Sequence, residues 1–215
     1  MRKGFGVRAA LFGCLALMLC GCEPRKEAVI SLDAEGAQET DLLAGFPAPG
    51  TVLGIEEVVL YRDGQEESLQ LQREQGSCGY SMAYNTRVVT LELTDAKDAL
   101  LPVGLDDPDT TDAYLTIQEN MEYAVEELAD ELVLSCDWEC SAEELTIGEE
   151  EYPATWICYT QESGQEALQV EYYLVGFETH VFQIQLVCKE TATEELYENL
   201  QVALSTLRFD SIAEG

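Results

Sequence analysis

The chain has 215 residues, 47% of them hydrophobic, and sets 42 acidic side chains against 11 basic ones for a formal net charge of −31. A charge of that sign and size repels nucleic acid phosphates and anionic lipid headgroups, which excludes DNA or RNA binding and membrane contact through a basic patch. The hydrophobic share is enough for a packed core and excludes a disordered acidic tail.

Arg2, Lys3 and Arg8 precede an apolar run from Ala9 to Leu19 broken only by Gly13, the pattern of a secretory signal. The stretch Leu19-Cys20-Gly21-Cys22 then resembles the lipobox of bacterial lipoproteins, with Leu at minus three and Gly at minus one before a cysteine. The resemblance implies cleavage before Cys22, lipid on Cys22 and a place on the extracytoplasmic face of the cell membrane. Two or three acyl chains hold a protein stably, and no second apolar run of about 18 residues follows to span a bilayer. Removing residues 1–21 leaves 8 basic against 42 acidic residues, a formal −34. Cys14 and Cys20 leave with the signal, so the remaining thiols are Cys78, Cys136, Cys140, Cys158 and Cys188. Export permits disulfides, but five is odd, and sequence does not choose the pairing.

Residues 22–50, with Pro24, Pro47 and Pro49 and no sustained period, read as a tether. In 51–76, Glu57–Tyr61 and Ser68–Arg73 flank Arg62-Asp63-Gly64-Gln65, which predicts a β-hairpin at the edge of the main domain or appended to it. The main domain is expected over 77–210, with 211–215 as a tail. Gly79–Tyr84 and Arg87–Leu93 predict strands, 101–112 a Pro-, Gly- and Asp-rich loop, and Tyr114–Gln118 a third strand.

A helix is expected from Met121 to Val133 with Asn120 as N-cap, burying Met121, Val125, Leu128 and Leu132. Its other face carries Glu122, Glu126, Glu127, Asp130 and Glu131, which repel one another and oppose the helix dipole. Packing of the apolar stripe must therefore hold it. Leu145–Ile147 with Ala154–Gln161, and Leu168–Val175 with His180–Cys188, predict two hairpins. Phe182, Ile184, Leu186 and Cys188 make one face of the last strand fully apolar. Thr191 and Glu194 form a capping box for a closing helix striped with Leu196, Leu200, Leu204 and Leu207.

The predicted fold class is α+β, an antiparallel sheet with two main helices packed on it. Gly79-Tyr80-Ser81-Met82-Ala83-Tyr84, the strand Ala113–Ile117, the acidic helix, Ile147-Gly148 before a Trp- and Tyr-bearing strand, and the Leu-striped helix closing on Leu207-Arg208-Phe209 resemble uncharacterised lipoproteins of Gram-positive gut bacteria. Their layout is similar to the PsbP-like αβα sandwich. That resemblance covers most of 77–210 and implies binding or scaffolding, with no shared catalytic residues; 51–76 has no counterpart in it.

Cys136-Asp137-Trp138-Glu139-Cys140 is a candidate redox dithiol or a small disulfide. Its three-residue spacing departs from the thioredoxin motif, and its two acids raise a thiol pKa. His180 is the one histidine, and no Gly-x-Ser-x-Gly elbow accompanies it, so nothing assembles a nucleophile and its base. Asp106, Asp107, Asp109 and Asp112 form a candidate Ca²⁺ loop that lacks the Gly and distal Glu of an EF-hand. Tyr152, Trp156, Tyr159, Tyr172 and Tyr173 form an aromatic set whose outward members are a candidate binding surface. The reading is a lipid-anchored, non-catalytic envelope module that binds an envelope protein or polymer and needs no cofactor. The alternatives are a thiol-dependent redox protein or enzyme using Cys136 and Cys140, and an adhesion module bridged by divalent cations.

Overall fold

The computed structural model describes residues 47–62, 65–94, 97–120, 123–163 and 166–210. The signal, Cys22, the tether up to residue 46 and Met121 lie outside them. The elements in chain order are β1 (Val52–Arg62), β2 (Gln65–Gln75), β3 (Tyr80–Tyr84), β4 (Val89–Glu92), β5 (Asp98–Pro102), β6 (Ala113–Asn120), α1 (Val125–Ser135), β7 (Ser141–Ile147), β8 (Tyr152–Ser163), β9 (Glu166–Phe177), β10 (His180–Lys189), α2 (Glu194–Ser205) and β11 (Arg208–Phe209). They form an α+β fold of two antiparallel sheets, one ordered β1-β2-β3-β11 and the other β4-β5-β6-β10-β9-β8-β7.

Strand parity divides the core of the larger sheet in two. Phe182, Ile184 and Leu186 of β10 pack with Leu115 and Ile117 of β6, Tyr173 and Val175 of β9, and the α2 residues Leu200, Ala203 and Leu204. On the opposite face, Leu128 of α1 packs with Ile157, Leu174 and Val181, flanked by Val125 and Leu132. Thus the acidic helix is held by its apolar stripe, while Glu126, Glu127, Asp130 and Glu131 remain exposed.

Several boundaries differ from expectation for physical reasons. Asn120 does not cap α1; it pairs with Val181 in the β6–β10 ladder, and the helix starts at Val125. Ala124 has no side-chain acceptor, so Glu127 compensates by accepting from the Ala124 N–H at 3.3 Å. The cap of α2 is Thr193, not Thr191, and its Oγ1 accepts from Leu196 N at 3.3 Å. Part of the expected loop is strand β5, whose Asp98 is 1% exposed and accepts from Ser77 N at 2.7 Å and Tyr80 OH at 2.6 Å.

The 51–76 hairpin is built into its sheet: β1 is the edge, and β2 pairs with β3 from Gln72↔Tyr84 to Gln75↔Ser81. Arg73, 3% exposed, fixes that junction. Its guanidinium donates to Glu56, Glu149 and, at 3.0 Å, the Thr206 carbonyl. It thereby ties β1, the β7–β8 turn and the end of α2 together. In that turn Gly148 has φ +74°, and a Cβ there would lie 2.5 Å from the Leu207 carbonyl oxygen, so the position requires glycine.

Candidate functional site

The expected aromatic set does not form one surface. Successive strand side chains point to opposite faces, so Tyr152, Trp156 and Tyr173 face the α2 core while Tyr159 and Tyr172 face the α1 side. Beneath α2 the core aromatics surround Glu171, which is 4% exposed. Its Oε2 accepts from Trp156 Nε1 (3.1 Å) and Tyr173 OH (2.5 Å), and its Oε1 from Gln169 Nε2 (2.7 Å) and Tyr197 OH (3.2 Å). Burial and then the Glu171 carboxylate push Tyr173 and Tyr197 well above the ordinary phenol range, which keeps both as neutral donors. The same two causes push the Cys158 and Cys188 thiols up to about 11.

On the α1 side, Trp138 stacks on Tyr159 with ring centroids 5.9 Å apart and planes at 6°, and Tyr159 meets Tyr172 at 6.3 Å. Amides continue this strip: Gln185 donates to Tyr172 OH at 2.9 Å and Gln118 to Gln183 at 3.2 Å. The registers place Tyr114, Thr116, Gln118 and Asn120 of β6 on this face beside Val181, Gln183, Gln185, Val187 and Lys189 of β10. The matching positions of β9 and β8 are Leu168, Val170, Tyr172, Leu174 and Gly176, and Pro153, Thr155, Ile157, Tyr159 and Gln161. Among the positions named, Lys189 is the only charge; the neighbouring β7 adds a carboxylate to the same face, Glu144, which accepts from Thr155 Oγ1 at 2.9 Å. The strip thus pairs flat aromatic area with neutral hydrogen-bonding groups, with the Glu144 carboxylate and the acidic face of α1 beside it.

Cys136 ends α1 and Cys140 precedes β7, beside the aromatic strip, and both are free thiols. Burial and a hydrogen bond with Cys136 push Cys140 up to about 11, opposite to what a reactive thiolate requires. The acidic loop does not converge: Asp107 caps a short 3-10 turn by accepting from Asp109 N at 3.0 Å, and Asp112 faces Lys189 at 3.7 Å. Among the described residues no three metal-ligating side chains are grouped, so the Asp106, Asp107, Asp109 and Asp112 set is not assembled as a Ca²⁺ site. His180 pairs with Glu119 at the edge of β10. Cys78 is held protonated by burial and then by the Glu119 and Asp98 carboxylates.

Sequence reading missed a cleft of about 280 Å³ between the hairpin, the β3–β4 turn and α2. Leu60, Glu67 and Leu69 line one wall, Arg87 and Val88 another, and Glu195 and Asn199 the third. Asn199 is 4% exposed; its Nδ2 donates to the Glu195 carbonyl at 2.8 Å, and its buried Oδ1 has no partner. Four separate segments make this site, so no local motif announces it.

No known protein family and no curated protein matches the chain. Three solved structures resemble it at low identity. A Bacteroides thetaiotaomicron VPI-5482 protein shares 15% identity at a TM-score of 0.45 over 63% of this chain, which spans only 47% of that protein. A point mutant of protein Mog1 shares 10% at a TM-score of 0.39, covering 74% of this chain and 97% of its own. A Pseudomonas aeruginosa protein of unknown function shares 13% at 0.28, covering 52% and 87%.

Proposed function

We propose that the protein is a lipid-anchored, extracytoplasmic binding module of the cell envelope. It is held at the membrane through Cys22, has the PsbP-like αβα arrangement, and engages an envelope protein or polymer non-catalytically. The observation that carries the binding reading is the strip of Trp138, Tyr159 and Tyr172 with the Gln118, Gln183 and Gln185 amides. Aromatic side chains supply most of the contact energy in such surfaces. Support for the anchor is the Leu19-Cys20-Gly21-Cys22 stretch. The raised Cys140 thiol weighs against the redox alternative. Asp107 and Asp112, engaged within the protein, weigh against cation bridging.

The test is co-sedimentation of the purified protein with envelope fractions of its own bacterium, alongside metabolic lipid labelling. Trp138→Ala and Tyr172→Ala should each weaken co-sedimentation at least tenfold, and Cys22→Ala should abolish labelling. Unchanged binding in both aromatic variants would overturn the assigned surface, and persistent labelling would overturn the anchor.

A further inference from the structure

We propose that the open edge of β1 docks an extended segment of a partner protein, which adds a strand to the β1-β2-β3-β11 sheet and carries one basic residue between two apolar ones. Among the described residues the two sheets end on four edge strands, β1 and β11 in one and β4 and β7 in the other. Open edges invite pairing with foreign strands, and proteins guard them by shortness, by charge or by bulges. β11 has 2 residues, β4 has 4, and β7 carries Glu143 and Glu144. β1 has 11 residues without lysine or proline, and it leaves Ile55 65% and Val59 51% exposed. Its register shift is confined to Val52–Gly54, and the ladder is regular from Gly54↔Arg73 to Arg62↔Gln65.

The ladder fixes which backbone groups are open. Gln75 N donates to the Thr51 carbonyl at 3.0 Å, and the Gln75 carbonyl accepts from Gly50 N at 2.8 Å, so both groups of Gln75 face β1. Backbone groups of an antiparallel strand alternate in direction, so those of Arg73, Leu71 and Leu69 face β1 as well. Their partners Gly54, Glu56 and Val58 face back toward β2. The N–H and C=O groups of Ile55, Glu57 and Val59 therefore point out from the edge. The side chains of these same three residues share one face, where Glu57 also accepts from Ser68 Oγ of β2. The open edge thus reads apolar, acidic, apolar.

An outward row of backbone donors and acceptors is matched by extended backbone, with affinity from the main chain and selectivity from alternate side chains. Opposite-charge and apolar cross-strand pairs stabilise, and like charges directly opposite destabilise. The segment that fits sets lysine or arginine against Glu57 and apolar residues against Ile55 and Val59. That spacing, apolar-x-basic-x-apolar, is the same in either strand direction. A second copy of this chain fits worse: the antiparallel register that brings Ile55 onto Val59 sets Glu57 directly against its own counterpart, and each copy brings a net −31. The edge belongs to the other sheet from the Trp138, Tyr159 and Tyr172 strip, and neither surface depends on the other.

Fluorescence anisotropy of the labelled peptide acetyl-Thr-Val-Thr-Lys-Thr-Val-Thr-amide, titrated with the full chain in detergent, tests the site. Binding should saturate with a Kd below about 1 mM, and the peptide with Glu in place of Lys should bind at least tenfold more weakly. An added strand turns only one of its edges to β1. N-methylation of the Val-Lys-Val amides or of the two Thr amides between them should therefore abolish binding in one case and spare it in the other. Glu57→Lys should reverse the preference toward the Glu peptide. Glu143→Lys, the same charge change on the β7 edge, should leave the preference intact, which separates the site from general attraction to an acidic chain. Ile55→Thr combined with Val59→Thr should weaken binding at least tenfold. No saturable binding, equal binding of the Glu peptide, loss in both or neither methylated set, or an unreversed preference in Glu57→Lys would overturn the proposal. So would concentration-dependent dimers in sedimentation that the double threonine variant dissolves, since a second copy would then occupy the edge. Trp138→Ala should leave peptide binding intact, so a failure here is separable from a failure of the envelope-binding surface.

Discussion

Replacing Glu171 by Gln and by Leu separates the two costs of altering a buried carboxylate. Gln keeps one acceptor oxygen and presents two N–H donors. That oxygen has to stay toward Trp156, because an indole N–H only donates, and it also retains the Tyr173 hydroxyl. The new amide nitrogen then faces Gln169 and Tyr197, and both can turn an acceptor toward it. All four contacts survive as neutral hydrogen bonds, so the loss is charge assistance less the relieved desolvation, about 1–2 kcal/mol. Leu keeps the volume and offers no acceptor. Tyr173, Tyr197 and Gln169 can reorient, but the Trp156 N–H is stranded, and the expected cost is about 3–5 kcal/mol, as for breaking a buried polar network from one side. Urea unfolding followed by fluorescence reads both, with unchanged m-values as the check on the two-state analysis. Adding Trp156→Phe to the Leu variant removes the stranded donor and should recover part of its loss. The reasoning fails if the Leu variant is as stable as the Gln variant, or if both lie within about 0.5 kcal/mol of the wild type, as at a solvated surface position.

Two further outcomes follow from the same structure. Arg73→Met should destabilise by about 1.5–3 kcal/mol, the cost of losing charge-assisted hydrogen bonds to the part-exposed Glu56 and Glu149 and of leaving the Thr206 carbonyl without its donor, with hydrogen exchange rising first in β1, β2 and the β7–β8 turn; exchange confined to the α1 region would contradict the role assigned to Arg73. Cys158 and Cys188 are raised from an ordinary 9.0 to about 11, so the folded state keeps protons that the unfolded chain releases. Their contribution to stability is complete below about pH 9 and is lost as pH rises toward 11. At pH 8 the folded thiols should alkylate about 100-fold more slowly than in urea, each unit being tenfold in thiolate, and equal rates in the two states would dismiss the shift.

Where the sequence is legible, one face of an element is buried and the other is not. The alternation of Phe182, Ile184, Leu186 and Cys188 identified β10 and its inner face, and the Leu200–Leu204 spacing identified α2. Elements buried on both sides lose that contrast. Asp98–Leu101 is buried throughout, so β5 shows no period: its first residues carry no strand signal, and Leu101 and Pro102 read as the start of the loop. In β9, Gln169 and Glu171 look like the outward set, yet they share the parity of Tyr173 and Val175 and face the core, because Val170, Tyr172 and Leu174 cover the opposite face. Arg73 misleads likewise, since an arginine in a hairpin rich in Glu and Gln gives no sign of burial until Glu56 and Glu149 are folded against it. The cleft is illegible for a different reason: residues 60, 87, 195 and 199 meet only through the topology.

The two buried carboxylates show how a chain with so few cations builds a core. Asp98 accepts from the Ser77 N–H and hydroxyl and from Tyr80 OH; Glu171 accepts from an indole, an amide and two phenols. Among the described residues no lysine or arginine is paired with either. Arginine is instead spent where acidic side chains from two segments converge, at Arg73 with Glu56 and Glu149, and Arg208 joins the same Glu149. Neutral donors suit the remaining acids because a buried ion pair must overcome two desolvation penalties, whereas a carboxylate ringed by phenols, indole and amides brings only one charge out of water. Burial followed by the neighbouring carboxylate raises Tyr80, Tyr173 and Tyr197, so these hydroxyls keep their protons and go on donating. The tyrosines inside this protein therefore stand in for cations as neutral donors, and the aromatic residues on the α1 side are the ones the proposed binding surface draws on.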